Sequence, residues 1–238
     1  RVLVMAKPPA RGAEVEVFHP VWTSQPVNTD KATRETGEPE HAGNEGGGSV
    51  WWAFTAPYDG LLNLRTANTR IDTVMGAYVG TRVNRLRLVT SNDDDSALAE
   101  LEDNPGYSRI TQALKKGMTL IVAVDGFGDM RGELAIVSDF EATAVHELSV
   151  TSGPGGAVPT PWLPFGSDED GLYALYAQDA AVQLLAKPGE GNEFYGWQGS
   201  ISSLENPLDL VITGGTTVQA TFGPRRLADD FESGALGR

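Results

Sequence analysis

Hydrophobic and polar positions alternate with a period of two along much of this chain. Val50, Trp52 and Phe54 fall on one side of a run that Thr55-Ala56-Pro57 ends. Leu62 and Leu64 alternate with Asn63 and Arg65, and Leu86 and Leu88 with Arg85 and Arg87. A strand turns successive side chains to opposite faces, so this pattern predicts strands with one face buried and one wet. Turn signals recur at roughly ten-residue spacing between Ser49 and Asp95, the signature of an antiparallel β-sandwich. The run from Leu120 to Val124 has no polar alternation and predicts a central strand buried on both faces. Asp125-Gly126-Phe127-Gly128-Asp129 then turns the chain into a last strand from Gly132 to Val137. About seven strands are expected between Ser49 and Phe140, with a minor helix over Ser96 to Glu102.

The patterning continues past this sandwich. Leu148-Ser149-Val150 opens a second unit, Gly153 to Gly156 turns it, Val182 to Ala186 forms another strand and Val218 to Phe222 closes it. The segment from Pro161 to Gly171 reads as a loop insertion. At the front, Val2 to Met5 and the alternating Val15-Glu16-Val17 suit an edge strand or the tail of a preceding domain. Residues 28–48 are polar and glycine-rich, with a helical turn expected around Asp30 to Arg34 and then loop. The expected organisation is a linker or strand at 1–19, a sandwich at 20–142, a small mostly β domain at 143–223 and a linker or new domain at 224–238. The fold class is all-β.

Composition sharpens this picture. The 238 residues are 40% hydrophobic, enough for real cores. The net charge of −14 opposes nucleic-acid binding, which needs a basic face, and suits calcium, or a halotolerant or extracellular setting. The absence of cysteine excludes disulfides, thiolate metal sites and cysteine nucleophiles. No apolar run approaches the roughly 18 residues of a membrane span. The start at Arg1 and the short tail lead us to expect a processed product or a piece of a longer chain.

Catalytic patterns are missing: there is no G-x-S-x-G elbow, no P-loop and no dinucleotide fingerprint between strand and helix. His146-Glu147 lies in an alternating, strand-like segment with Val150 where a zinc-protease helix would carry its second histidine. His41 reads as a turn residue. An enzyme is not expected. The strongest candidate site is acidic: Asn92, Asp93, Asp94 and Asp95, with Asp72 at a turn of the same sandwich, as calcium ligands. Calcium takes six to eight oxygens, which clustered loop aspartates supply, although the same residues also cap turns through their own backbone. Asp168-Glu169-Asp170-Gly171 is too short for an EF-hand loop. Trp51, Trp162 and Phe165 are candidate ligand-binding rings, since exposed aromatics stack on sugars or anchor proteins.

Ordered motifs carry two resemblances. Asn28, Ala32-Thr33, Gly37-Glu38-Pro39, His41-Ala42-Gly43, Ser49 to Trp52, Asp72-Thr73, Tyr78, Gly80, Asn92 to Asp94 and Val124 to Gly126 resemble the bacterial pre-peptidase C-terminal (PPC) domain over about residues 20–140. That resemblance implies a jelly-roll-like sandwich and a non-catalytic appendage of exported proteins. Its collagen-binding members hold calcium through acids before the first strand; here Gln25, Val27 and Gly46 to Ser49 stand in those places, so that site is not expected. Tyr176, Val182, Leu184, Ala186, Pro188, Phe194, Gly196-Trp197, Gly199, Asn206-Pro207, Val218, Ala220 and Phe222 resemble the divergent internalin B-repeat, or bacterial repeat, domain, with Asp179 in place of a turn glycine. Such repeats are spacers on bacterial cell-surface proteins. The tail from Ala228 to Gly234 is similar to the opening of a concanavalin-like module.

Together these features lead us to expect a non-catalytic module pair from a large exported bacterial surface protein, extracellular or on the cell surface, serving adhesion, display or assembly. Its partners would be other domains of the parent chain, extracellular polysaccharide or protein, or copies of itself. The alternative is a polysaccharide- or protein-binding accessory region of a secreted hydrolase.

Overall fold

In the computed structural model, which describes residues 3–4, 21–96, 106–159, 166–168 and 171–225, the alternating segments form strands. The first ten are β1 (Leu3–Val4), β2 (Val21–Thr23), β3 (Val27–Asn28), β4 (Val50–Thr55), β5 (Gly60–Ala67), β6 (Thr73–Val79), β7 (Arg87–Asn92), β8 (Arg109–Leu114), β9 (Thr119–Gly126) and β10 (Glu133–Ala142). They make two five-stranded sheets. One runs β1-β4-β9-β6-β7; the other runs β2-β10-β5-β8, with β3 also on β10. Within these sheets the pairings are antiparallel except β1 on β4, which is parallel.

The sheets bury a shared core. Trp52, Met75, Leu120, Val122 and Val124 from the first meet Leu62, Leu64, Ile110, Leu114 and Ile136 from the second. Phe54 and Phe140 pack with ring centroids 5.0 Å apart. The unalternating Leu120–Val124 run lies in β9, between β4 and β6, as a continuous apolar run should. The expected turn at Asp30 is present as a turn and not a helix; of the Ser96–Glu102 helix, only Ser96 lies within the described residues.

The remaining strands are β11 (Val145–Ser152), β12 (Gly156–Ala157), β13 (Gly166–Asp168), β14 (Gly171–Ala177), β15 (Ala180–Leu184), β16 (Lys187–Pro188), β17 (Asn192–Gly199), β18 (Leu208–Ile212) and β19 (Thr216–Pro224). A third five-stranded sheet runs β13-β14-β11-β19-β17, and β15 pairs with β18 as a separate ribbon. Between them lie Leu148, Val150, Leu184, Trp197, Leu210, Ile212 and Val218. Trp197 is fully buried, and its indole N–H donates to the Glu205 carbonyl at 3.0 Å. Asn206 ties the ribbon down by accepting from the Ala186 amide at 2.8 Å and donating to the Ala186 carbonyl at 2.7 Å. Asp179 takes φ of 64°, the left-handed conformation that a turn glycine would supply.

The second set of strands is not merely tethered to the first. Val145 of β11 and Leu175 of β14 belong to the sandwich core, with Tyr173 packed against it. Lys115 and Glu147 pair at 3.3 Å across the same junction.

Candidate metal centre

Asp72 immediately precedes β6, and Asp93 immediately follows β7, the next strand in the sheet. Their positions are set by buried hydroxyls. Thr66, Thr73 and Ser108 are fully buried; Thr73 Oγ1 lies 3.0 Å from Thr66 Oγ1 and 3.1 Å from Ser108 Oγ. Ser108 Oγ also donates to the Asp93 carbonyl at 2.8 Å, while the Phe127 amide donates to the Asp72 carbonyl at 3.0 Å. The backbones of both aspartates are therefore used, and their carboxylates are left to converge with that of Asp94.

One carboxylate oxygen from each of Asp72, Asp93 and Asp94 lies within 4.8 Å of the other two. Oδ1 of Asp72 and Oδ1 of Asp93 are shielded from solvent and accept no hydrogen bond. Burial, followed by the charges of Asp93 and Asp94, raises Asp72 above the ordinary carboxylate range. Burial, followed by Asp94, raises Asp93. Two like charges at 4 Å repel by about 1 kcal/mol in water and about 4 at an effective dielectric of 20; Asp94 is exposed, so solvent screens its share. A hard cation removes this repulsion and supplies the two shielded oxygens with a partner. Clustered carboxylate oxygens are the ligand type that hard cations such as calcium take. Gly106 makes room, for a Cβ there would lie 2.6 Å from Asp72 Cγ.

Of the five acidic-cluster residues expected as ligands, Asp72, Asp93 and Asp94 converge and two are spent elsewhere. Asn92 Oδ1 accepts from the Arg109 amide at 2.8 Å, and its Nδ2 donates to the Asp94 carbonyl at 3.1 Å. Asp95 is buried and pairs with Arg109 Nε at 2.8 Å. Both hold the loop that presents Asp93 and Asp94. Gly106, Thr66 and Ser108 were not legible as site residues, because they act through space and none carries a charge.

The other candidates fall apart from this centre. Trp51 is half-buried; its Nε1 donates to Ser49 Oγ at 2.7 Å and its ring lies edge-on to His41. Trp162 and Phe165 lie outside the described residues, as does the Ala228–Gly234 tail. His146 sits on strand β11, as its alternation implied, with Nε2 2.6 Å from Gln178 Oε1. His41 flanks the turn at Ala42 and Gly43, as expected, and is also buried, 1% accessible, inside a polar network.

No protein-family model matches the sequence, and no curated protein is similar to it. The two resemblances thus rest on their motifs alone. Among solved structures, the chain is similar to a periplasmic lysozyme inhibitor of g-type lysozyme, PliG of Aeromonas hydrophila, at 8% identity. The match covers 58% of this chain and 96% of that one with a TM-score of 0.34, too low to carry an argument. No helix among the described residues is long and apolar enough to cross a membrane.

Proposed function

We propose that this chain is a non-catalytic, calcium-stabilised pair of β modules from an exported bacterial surface protein, serving extracellular display or assembly. The observation that carries the reading is the convergence of three carboxylates of which two present shielded, unpartnered oxygens. Such an arrangement is costly in a bare protein and favourable around a divalent cation. The exported setting is supported by the order of the PPC-like and repeat-like motifs. The ion would act mechanically: it would clamp the β6 entry to the β7 exit, with no open chemistry required.

Thermal unfolding with calcium, magnesium or chelator tests the proposal. At calcium a hundredfold above its dissociation constant the expected rise is roughly 5–10 °C, absent in Asp93→Asn. The sign of the pH effect follows from the raised Asp72 and Asp93. Without metal, both are costly when ionised, so mild acidification stabilises the protein as they take up protons. Calcium favours the ionised forms, so adding it should abolish that gain. Identical melting curves with chelator and with excess calcium would end the calcium reading.

A further inference from the structure

The hairpin of β6 and β7 carries opposite charge at its two ends. From Thr73 to Asn92 the sequence holds three arginines and no acid, and all three arginines fall at the closed end. Val83–Arg85 forms a short 3-10 turn in which the Arg85 amide donates to the Arg82 carbonyl at 2.9 Å, bringing those two residues together. Arg87 follows as the first residue of β7. Arg82, Arg85 and Arg87 are exposed, and among the described residues none of their side chains makes an ion pair or a hydrogen bond.

The open end carries Asp72 before β6, and Asp93 and the exposed Asp94 after β7. Arg109, at the start of β8, is already spent on Asp95 at 2.8 Å. Arg70 is exposed and forms no ion pair with the three acids. β6 is seven residues long, so at about 3.3 Å per residue the two ends of the hairpin stand roughly 20 Å apart. That is about twice the screening length at 0.1 M salt. Within one molecule, neither end relieves the charge of the other.

β7 is also the outer strand of its sheet. It pairs with β6 alone, and among the described residues no backbone group of another segment bonds along its far side. At the Asn92 end the start of β8 closes in, since Asn92 Oδ1 accepts from the Arg109 amide at 2.8 Å. The stretch from Arg87 to Ser91 is an open edge.

We propose that this edge is a self-association surface, on which two copies lie side by side and antiparallel along β7, with the arginine turn of each against Asp93 and Asp94 of the other. Charge selects both the occupant and its direction. An antiparallel copy presents carboxylates where the arginines stand unpaired, and guanidinium forks, which bind carboxylates through paired hydrogen bonds, where the aspartates stand. A parallel copy sets like charge against like. The bulge between Ala77 and Tyr78 and the edge arginine oppose indiscriminate strand pairing; the antiparallel alignment is the one that turns the same charges to attraction. The copies are related by a two-fold rotation, so both contacts form at once and the assembly closes as a dimer. This gives the assembly in the proposed function a partner, a second copy of the chain, and does not rest on the calcium reading. A cation held by Asp93 and Asp94 would compete with the arginines for them.

Sedimentation velocity of the intact chain, with chelator present, tests this. At about 0.01 M salt, where charges act over roughly 30 Å, a monomer–dimer equilibrium is expected. At about 1 M, where they act over roughly 3 Å, its dissociation constant should rise by about tenfold or more. The triple variant Arg82→Glu, Arg85→Glu, Arg87→Glu and the double variant Asp93→Lys, Asp94→Lys should each remain monomeric alone. Mixed in equal amounts they should form a heterodimer, because each turn then faces an end of opposite charge. A wild-type chain that is monomeric at low salt at every concentration reached, a dimer indifferent to salt, or folded variants whose mixture does not associate would overturn the proposal. Binding of monomeric wild type to an immobilised sulfated polysaccharide, lost in the arginine variant, would also overturn it and assign the arginines to a polyanion. The salt series uses the wild-type chain alone and stands even if a variant does not fold.

Discussion

Gly106 occupies a backbone conformation, φ of 103°, that other residues rarely adopt, and it lies against the Asp72 carboxylate. Replacing it by alanine adds both backbone strain and overpacking, each typically costing about 1–3 kcal/mol. Gly106→Ala should therefore melt several degrees lower and lose the calcium-dependent shift, as followed by circular dichroism with and without chelator. The same scale separates aspartates of similar appearance. Asp94 is exposed, Asp95 is buried on Arg109, and Asp72 and Asp93 each shield one unpartnered oxygen. Adjacent residues in one acidic run thus perform three different tasks, because the chain direction changes within it at the end of β7.

At the scale of elements, the β15–β18 ribbon shows what alternation means energetically. Along β18, Leu208, Leu210 and Ile212 are buried while Asp209 and Val211 are exposed, Val211 at 61%. Ile212→Ala should cost about 2–5 kcal/mol because it empties a packed position. Val211→Ala one residue away should stay within about 0.5 kcal/mol. Equal losses from the two variants in urea unfolding would mean that the ribbon does not pack as described. Across the sandwich, the strands expected from Ser49 to Phe140 are present as β4 to β10, since their period-two pattern and turn residues agree. Their boundaries shift by a few residues where pairing extends a strand beyond its apolar stretch, as in β10, which runs on to Ala142.

For the whole molecule, the division expected at residue 142 coincides with a change of sheet but not with a gap in the core. Only Thr143 and Ala144 separate β10 from β11, and Val145 and Leu175 complete the sandwich interior. A junction this short, with apolar side chains shared across it, couples the two sets of strands. Leu175→Ala should lower the unfolding temperature of the whole chain by an amount matching about 2–5 kcal/mol. Calorimetry should show the residues on both sides melting together. Two transitions, of which only the later strands' moved in the variant, would contradict that coupling.

What the sequence determined by itself was local: strand identity from side-chain alternation, the buried centre of the first sheet from an unbroken apolar run, and turns from glycine, proline and aspartate. These follow from backbone geometry that each segment carries with it. The tertiary structure alone decided which acids meet, that Asn92 and Asp95 brace the site, that His41 is interior, and that Leu175 belongs to the earlier core. Each of those depends on the approach of residues far apart in the chain. Hydrogen-bond partners and shielding from water exist only once the sheets have packed.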